Sequence, residues 1–141
     1  AELFGDLEDL IFAHIMGSSC LYCTMGADGF NGLYGHLAAR AAFVVVSPDS
    51  PGDQARFAKS RGWTFPMVSD PGAAFAAAMG YAVDGEPHPG MSTFRNTAEG
   101  VVRVSDANLG PGGDFNPLFH IFDMLPGGAA SWEPKYKYAA E

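Results

Sequence analysis

Apolar and polar positions alternate in blocks along this chain, and the blocks predict strands and helices in regular succession. Residues 10–16 form a strand-sized apolar run. Gly17-Ser18-Ser19 breaks it, and either serine can cap a following helix. That helix is predicted over 20–40. It contains Gly26, Gly29, Gly32 and Gly35, and each interior glycine costs about 1 kcal/mol relative to Ala. A kink or split near 32–35 is therefore expected. Glycines spaced by three would alternatively admit a second backbone at close range. Residues 42–47 are rich in β-branched side chains and form the clearest strand. Turn chemistry fills 48–52. Residues 54–61 read as a short amphipathic helix with Ala55, Phe57 and Ala58 inward, stopped by Gly62. A third strand follows at 65–69, then an alanine-rich helix over 73–79 closed by Gly80. The glycines and prolines of 82–90 predict an exposed loop. Residues 91–94 and 101–104 read as two strands joined by a turn at 96–100. After a loop at 108–113, a last helix is predicted over 117–124, ended by Pro126-Gly127-Gly128.

The resulting order is β-α-β-α-β-α-β-β-α. Strands alternating with helices imply crossover units and a partly parallel sheet, and the closing strand pair implies an antiparallel edge. Neither an internal repeat nor an interdomain linker interrupts the pattern. The expected organisation is one α/β domain over 1–126 and a C-terminal tail over 127–141. The tail carries Trp132, Tyr136 and Tyr138. Large aromatics on a terminal extension need a surface to cover, so the tail is expected to pack on the domain or on a neighbouring subunit, with a homodimer as one outcome.

A chain of 141 residues with 48% hydrophobic and 17% charged positions suits a single globular core. No apolar run approaches the roughly 18 residues of a spanning helix. The opening residues 1–6 carry acid rather than base and do not resemble a secretory signal; a cytoplasmic location is expected instead from a Cys-x-x-Cys pair beside a strand–helix–strand pattern. Sixteen acids against eight bases give a net charge of −8. The bases Arg40, Arg56, Lys59, Arg61, Arg95, Arg103, Lys135 and Lys137 are scattered, whereas phosphate backbones require clustered ones. Nucleic acid and anionic membranes are thereby disfavoured as partners.

Cys20 and Cys23 are the chain's two cysteines, too few for a secreted disulfide scaffold. They follow a predicted strand directly, at the predicted N-terminus of a helix. Unpaired amide N–H groups and the helix dipole favour negative charge there, and hence a thiolate. The thiolate is the attacking species in disulfide exchange. Cys20, nearer the helix start, is the candidate nucleophile, and Cys23, one turn further in, the candidate resolving thiol. Two blander readings compete. The cysteines could simply pack, or they could form half of a zinc site completed by His14, His36, His88, His120 or carboxylates. No second Cys-x-x-Cys or His-x₃-His pair accompanies them, so neither a metal nor another cofactor is expected. Trp63, Phe65, Met91 and Ser92 are candidates for a substrate groove, with core packing the competing role. His14, by strand alternation, shares a side with Phe12 and Met16 and reads most simply as a core histidine. Asp28 and Asp123 read as solvated acids.

Several landmarks together carry a resemblance: the Cys20–Cys23 pair, Phe30-Asn31-Gly32 with His36-Leu37, the 44–47 strand, and Gly62-Trp63-Thr64-Phe65-Pro66. Pro89-Gly90-Met91-Ser92 and the segment 117–126 complete the set. The chain resembles the thioredoxin superfamily, and within it a bacterial family known only as a thioredoxin-like domain of unknown function, distant from peroxiredoxins. The resemblance implies a thioredoxin-like three-layer α/β/α fold with a central mixed sheet. It implies no substrate, because shared fold is weak warrant for function. Thioredoxins carry Gly-Pro between the cysteines, where Leu21-Tyr22 stands here. Peroxiredoxins place Pro seven residues and Thr or Ser three residues before the reactive cysteine. Those positions are Ala13 and Gly17 before Cys20, and Met16 and Cys20 before Cys23. The proline that faces the disulfide in thioredoxins is missing from Met91-Ser92, and Pro66, the remaining candidate for a cis bond, precedes a different strand. The reading that follows is a thiol–disulfide oxidoreductase acting on a protein or small-molecule disulfide. The alternative is a non-catalytic binding or redox-sensing domain on the same scaffold.

Overall fold

The computed structural model describes residues 2–84, 86–110 and 113–139. Its main elements are β1 (Asp9–His14), α1 (Leu21–Arg40), β2 (Ala42–Ser47), α2 (Pro51–Arg61), β3 (Met67–Ser69) and α3 (Ala74–Ala78). They continue with β4 (Ala82–Val83), β5 (Glu86–Pro87), β6 (Gly90–Thr97), β7 (Gly100–Asn108) and α4 (Pro117–Phe122). Five strands form one sheet in the order β3-β2-β1-β6-β7, and β4 and β5 pair in a small hairpin within the predicted loop. β1, β2 and β3 run parallel, while β6 is antiparallel to both β1 and β7.

Topology explains the layers. The steps from β1 to β2 and from β2 to β3 move the same way across the sheet. Right-handed crossovers then place α1 and α2 on one face. Ala13, Ile15, Phe43 and Val45 meet Cys23, Ala27, Phe30, Trp63 and Phe65 there. The alternate residues Leu10, Phe12, Val44 and Val46 bury the opposite face against Phe4 and Phe75 of α3. The parallel part of the mixed sheet is thus covered on both sides, giving three layers, while β7 stays exposed at the antiparallel edge.

Some local expectations change. Helix α1 is a single run of 20 residues. A Cβ added at Gly26, Gly29, Gly32 or Gly35 would meet nothing within 4 Å, so these glycines neither kink the helix nor admit a backbone. Cys23, Ala27 and Phe30 form its buried stripe, and packing of that stripe outweighs the glycine cost. Helix α2 starts earlier than predicted, with Ser50 as N-cap and Pro51 in the first turn. Its phase leaves Ala55 exposed and buries Gln54. The Gln54 amide donates to Ser47 Oγ at 2.7 Å and to the Val68 carbonyl at 2.9 Å, tying β2 to β3. Gly62 ends α2 in the left-handed region, as its position implied. β6 and β7 are longer than their apolar cores suggested, and Pro66 follows a trans bond.

The segment after Pro126 lies against its own chain. Trp132 packs edge-on against Phe119 and Phe122, and the Tyr136 ring meets Phe57 at 6.2 Å. Among the described residues no helix is long and apolar enough to cross a membrane.

Gly90 faces His14 across the β1–β6 pairing. An added Cβ there would fall 2.2 Å from the Tyr81 ring. Gly90→Ala is therefore expected to destabilise the fold by about 1–3 kcal/mol through overpacking. Urea unfolding checks this, with a lowered midpoint at unchanged slope as the expected result.

Candidate functional site

The site begins where β1 ends. Ile15 N–H still bonds the Val46 carbonyl at 2.9 Å. The chain then turns through Gly17, whose φ of 114° favours a residue without a side chain. Ser18 is held from two sides: its N–H donates to Asp49 Oδ2 at 2.9 Å, and its carbonyl accepts from the Tyr136 hydroxyl at 2.9 Å. This loop delivers Cys20 to the N-cap of α1.

Cys20 is half-buried, Cys23 is buried, and both are free thiols. Cys23 N–H donates to Cys20 Sγ at 3.2 Å, so the sulfur takes the capping role usually filled by oxygen. Met16 N–H donates to Cys23 Sγ at 3.3 Å from the strand side. The Thr24 hydroxyl and N–H both bond the Cys20 carbonyl, which fixes the first turn. The two sulfurs therefore sit in different settings. A hydrogen bond from the Cys23 thiol, aided by the N–H groups of Cys23 and Tyr22 and opposed by burial, lowers the Cys20 pKa from 9.0 to about 6. The same bond, together with burial, pushes the Cys23 thiol up. The two shifts run in opposite directions, so negative charge is favoured on the Cys20 sulfur over the Cys23 sulfur.

Beside the first turns of α1 lies a small apolar cleft with room for about 30 Å³. Tyr22, Cys23, Gly26 and Phe30 form its helix wall, and Leu109 and Phe115 stand among the residues opposite.

The four groove candidates lie elsewhere. Trp63 and Phe65 are buried in the α1/α2 core, and the Trp63 indole N–H donates to Asp28 Oδ1 at 2.8 Å. Met91 packs against the same core. Ser92 is fully buried on the opposite face, 3.3 Å from His14 Nε2. None of the four lines the cleft, because their alternation in β6 and the turn into β3 point them into packed layers. Asp28 is not simply solvated, since it also pairs with Arg61. His14 follows Phe12, as alternation implies, whereas Met16 lies beyond the strand end and joins the other face. His14 is 2% exposed, and its Nδ1 has no hydrogen-bond partner among the described residues. Burial, reinforced by Arg103 and opposed by Asp70, lowers its pKa to about 4.

Residues the sequence reading passed over include Asp49, Tyr136, Met16 and Phe115. Asp49 was within reach of inference, because parallel pairing of β1 with β2 sets the residues after each strand side by side. Tyr136 was read only as a tail aromatic in need of a surface, and nothing local signals that its hydroxyl reaches Ser18. Among the described residues, no group of three or more His, Cys, Asp or Glu gathers to hold a metal ion.

Comparisons with known proteins bear on this geometry. A family model described as "Bacterial protein of unknown function (DUF899)" matches residues 1–140, and the chain belongs to that family. No functionally curated protein matches the sequence. Among solved structures, peroxidoxin BcpB from Mycobacterium tuberculosis is similar at a TM-score of 0.62 and 25% identity, over 76% of this chain and 71% of that one. Peroxiredoxin Q from Xanthomonas campestris gives 0.61 at 22% identity, over 72% and 68%. Reduced Prx3 from Vibrio vulnificus in complex with H2O2 gives 0.62 at 15% identity, over 75% and 72%. These likenesses establish the thioredoxin-like fold.

Proposed function

We propose that this member of the bacterial family is a thiol–disulfide oxidoreductase in which Cys20 attacks and Cys23 resolves. The reading rests on one observation: Cys20 Sγ caps α1 and receives the Cys23 N–H, while Cys23 is buried behind it. The Cys20 thiolate would attack one sulfur of a substrate disulfide, breaking the S–S bond and expelling one half as a thiolate. Cys23 Sγ would then attack Cys20 Sγ and release the other half, its proton passing to the leaving thiolate. Two electrons move from the dithiol to the substrate, and an external dithiol restores the reduced pair.

A peroxide is the second substrate class, supported by the peroxiredoxin neighbours and by the H2O2 complex of one of them. Against it, Gly17 and Ala13 still stand where peroxiredoxins carry the hydroxyl residue and the proline.

The test is the rate of iodoacetamide alkylation at Cys20 against pH, paired with turnover on a model disulfide and on hydrogen peroxide. The expected profile rises with a midpoint near pH 6, set by the lowered Cys20 pKa, while Cys23 stays unreactive at neutral pH. Disulfide turnover with dithiothreitol as reductant should exceed peroxide turnover. A Cys20 midpoint near the free-thiol value and no turnover would return the pair to a packing or sensing role.

A further inference from the structure

The turn that leads into α1 is gripped at its centre. Cys20 N–H donates to the Gly17 carbonyl at 3.0 Å, which closes a β-turn with Ser18 and Ser19 in its middle positions. The peptide plane between two such residues has two orientations, and the flipped one gives the second residue a positive φ. Ser19 stays out of the positive-φ region. The Tyr136 hydroxyl, bonded to the Ser18 carbonyl at 2.9 Å, holds the plane as it stands. Asp49 holds the same residue from the β2 side, accepting the Ser18 N–H at 2.9 Å. Its carboxylate also lies against Gly17, where an added Cβ would come within 3.0 Å of it.

Tyr136 is itself aimed. The Arg61 guanidinium of α2 donates to its carbonyl and also pairs with Asp28 of α1. Its ring meets Phe57 of α2 edge-on at 6.2 Å. The hydroxyl thus reaches the turn from a frame built on both helices. Resting on the oxidoreductase reading, we infer that Tyr136 is a positioning residue of the dithiol, whose hydroxyl fixes the Ser18–Ser19 peptide and so keeps Cys20 at the N-cap of α1. The 3.2 Å bond from the Cys23 N–H to Cys20 Sγ depends on that place. Loss of the hydroxyl lets the peptide turn, loosens the N-cap and weakens the stabilisation of the Cys20 thiolate. Asp49 complements it from the other side by geometry rather than by charge, since a nearby carboxylate opposes a thiolate.

Tyr136→Phe removes the hydroxyl and keeps the ring against Phe57 and the carbonyl against Arg61. Its expected signature lies in the pH profile of Cys20 alkylation by iodoacetamide. The wild-type midpoint near 6 should rise by about 0.5–1 unit, the worth of one hydrogen bond. Alkylation at pH 6 should then slow by about two- to fivefold. The plateau rate above about pH 8.5 should stay within about twofold, because the thiol remains equally accessible. Asp49→Ala should move the midpoint the same way. Asp49→Asn, whose amide oxygen can still accept the Ser18 N–H, should restore it.

An unmoved midpoint in Tyr136→Phe overturns the inference even if urea unfolds the variant sooner, because a hydroxyl that only stabilised the fold would change the second and not the first. A lowered midpoint in both Asp49 variants also overturns it, since charge rather than position would then govern the thiolate. The profile needs no disulfide substrate, so the two readings separate. Absent disulfide turnover with a raised Tyr136→Phe midpoint removes the oxidoreductase reading and supports the positioning role. A wild-type midpoint near the free-thiol value removes both.

Discussion

Replacing Cys20 by serine is expected to abolish disulfide reductase turnover, with a loss of about a thousandfold or more, because an alcohol does not ionise near neutral pH and a serine cannot form the mixed disulfide. The fold should survive, since a serine oxygen can accept the Cys23 N–H that now bonds the Cys20 sulfur. Cys23→Ser should behave differently. On the proposed reading Cys20 can still attack, but no second thiol releases the product, so the protein should accumulate as a mixed disulfide. Mass spectrometry of the quenched reaction would show an adduct equal to one half of the substrate, removed by reductant. Loss of turnover without an adduct in Cys23→Ser would sink the assigned order of attack. Retained turnover in Cys20→Ser would sink the mechanism altogether.

Acid should destabilise this protein through His14. His14 is held near a pKa of 4 in the fold, against 6.5 in an unfolded chain. With the folded value depressed, the unfolded state binds the extra proton first. The associated stability is complete above pH 6.5 and is lost as the pH falls from there towards 4, by about 3 kcal/mol over the whole window. Protonation would place a cation among Phe12, Phe75 and Tyr81, close enough to Arg103 to be repelled by it. Urea midpoints at pH 7 and pH 4.5 measure the effect. The double substitution His14→Phe with Ser92→Ala removes both members of the buried pair and leaves no orphaned hydroxyl. It should flatten most of the decline, and an unaltered decline would assign the acid sensitivity to other groups.

The first two strands were legible from the sequence, β1 from its continuous apolar run and β2 from its β-branched one. Residues 42–47 form the strand in the structure that they were read to form. The position of the dithiol was equally legible, since a strand, a Gly-Ser break and a Cys-x-x-Cys in succession leave little choice of geometry. Counting interior glycines misjudged α1, because propensity is a local quantity and the buried stripe of Cys23, Ala27 and Phe30 acts through the tertiary structure. Between the groove and core-packing roles left open for the aromatic and polar candidates, the sequence could not choose, for a related reason. Trp63 and Ser92 are chemically suited to a surface, yet the pleat and the turns bury them. Phe115 and Leu109, which do line the cleft, come from chain far downstream of the cysteines, and no periodicity within a short window reports such a meeting.

The hydroxyl of Tyr136 bonds a carbonyl 118 positions earlier in the chain. On a ribosome adding about 5–20 residues per second, that separation corresponds to roughly 6–24 seconds of synthesis. The Asp49 contact becomes available only once residue 49 has been added, and a further 87 residues, roughly 4–17 seconds, separate it from Tyr136. The two fastenings of the cysteine-bearing loop are thus made at different times, the Asp49 side first and the Tyr136 side last.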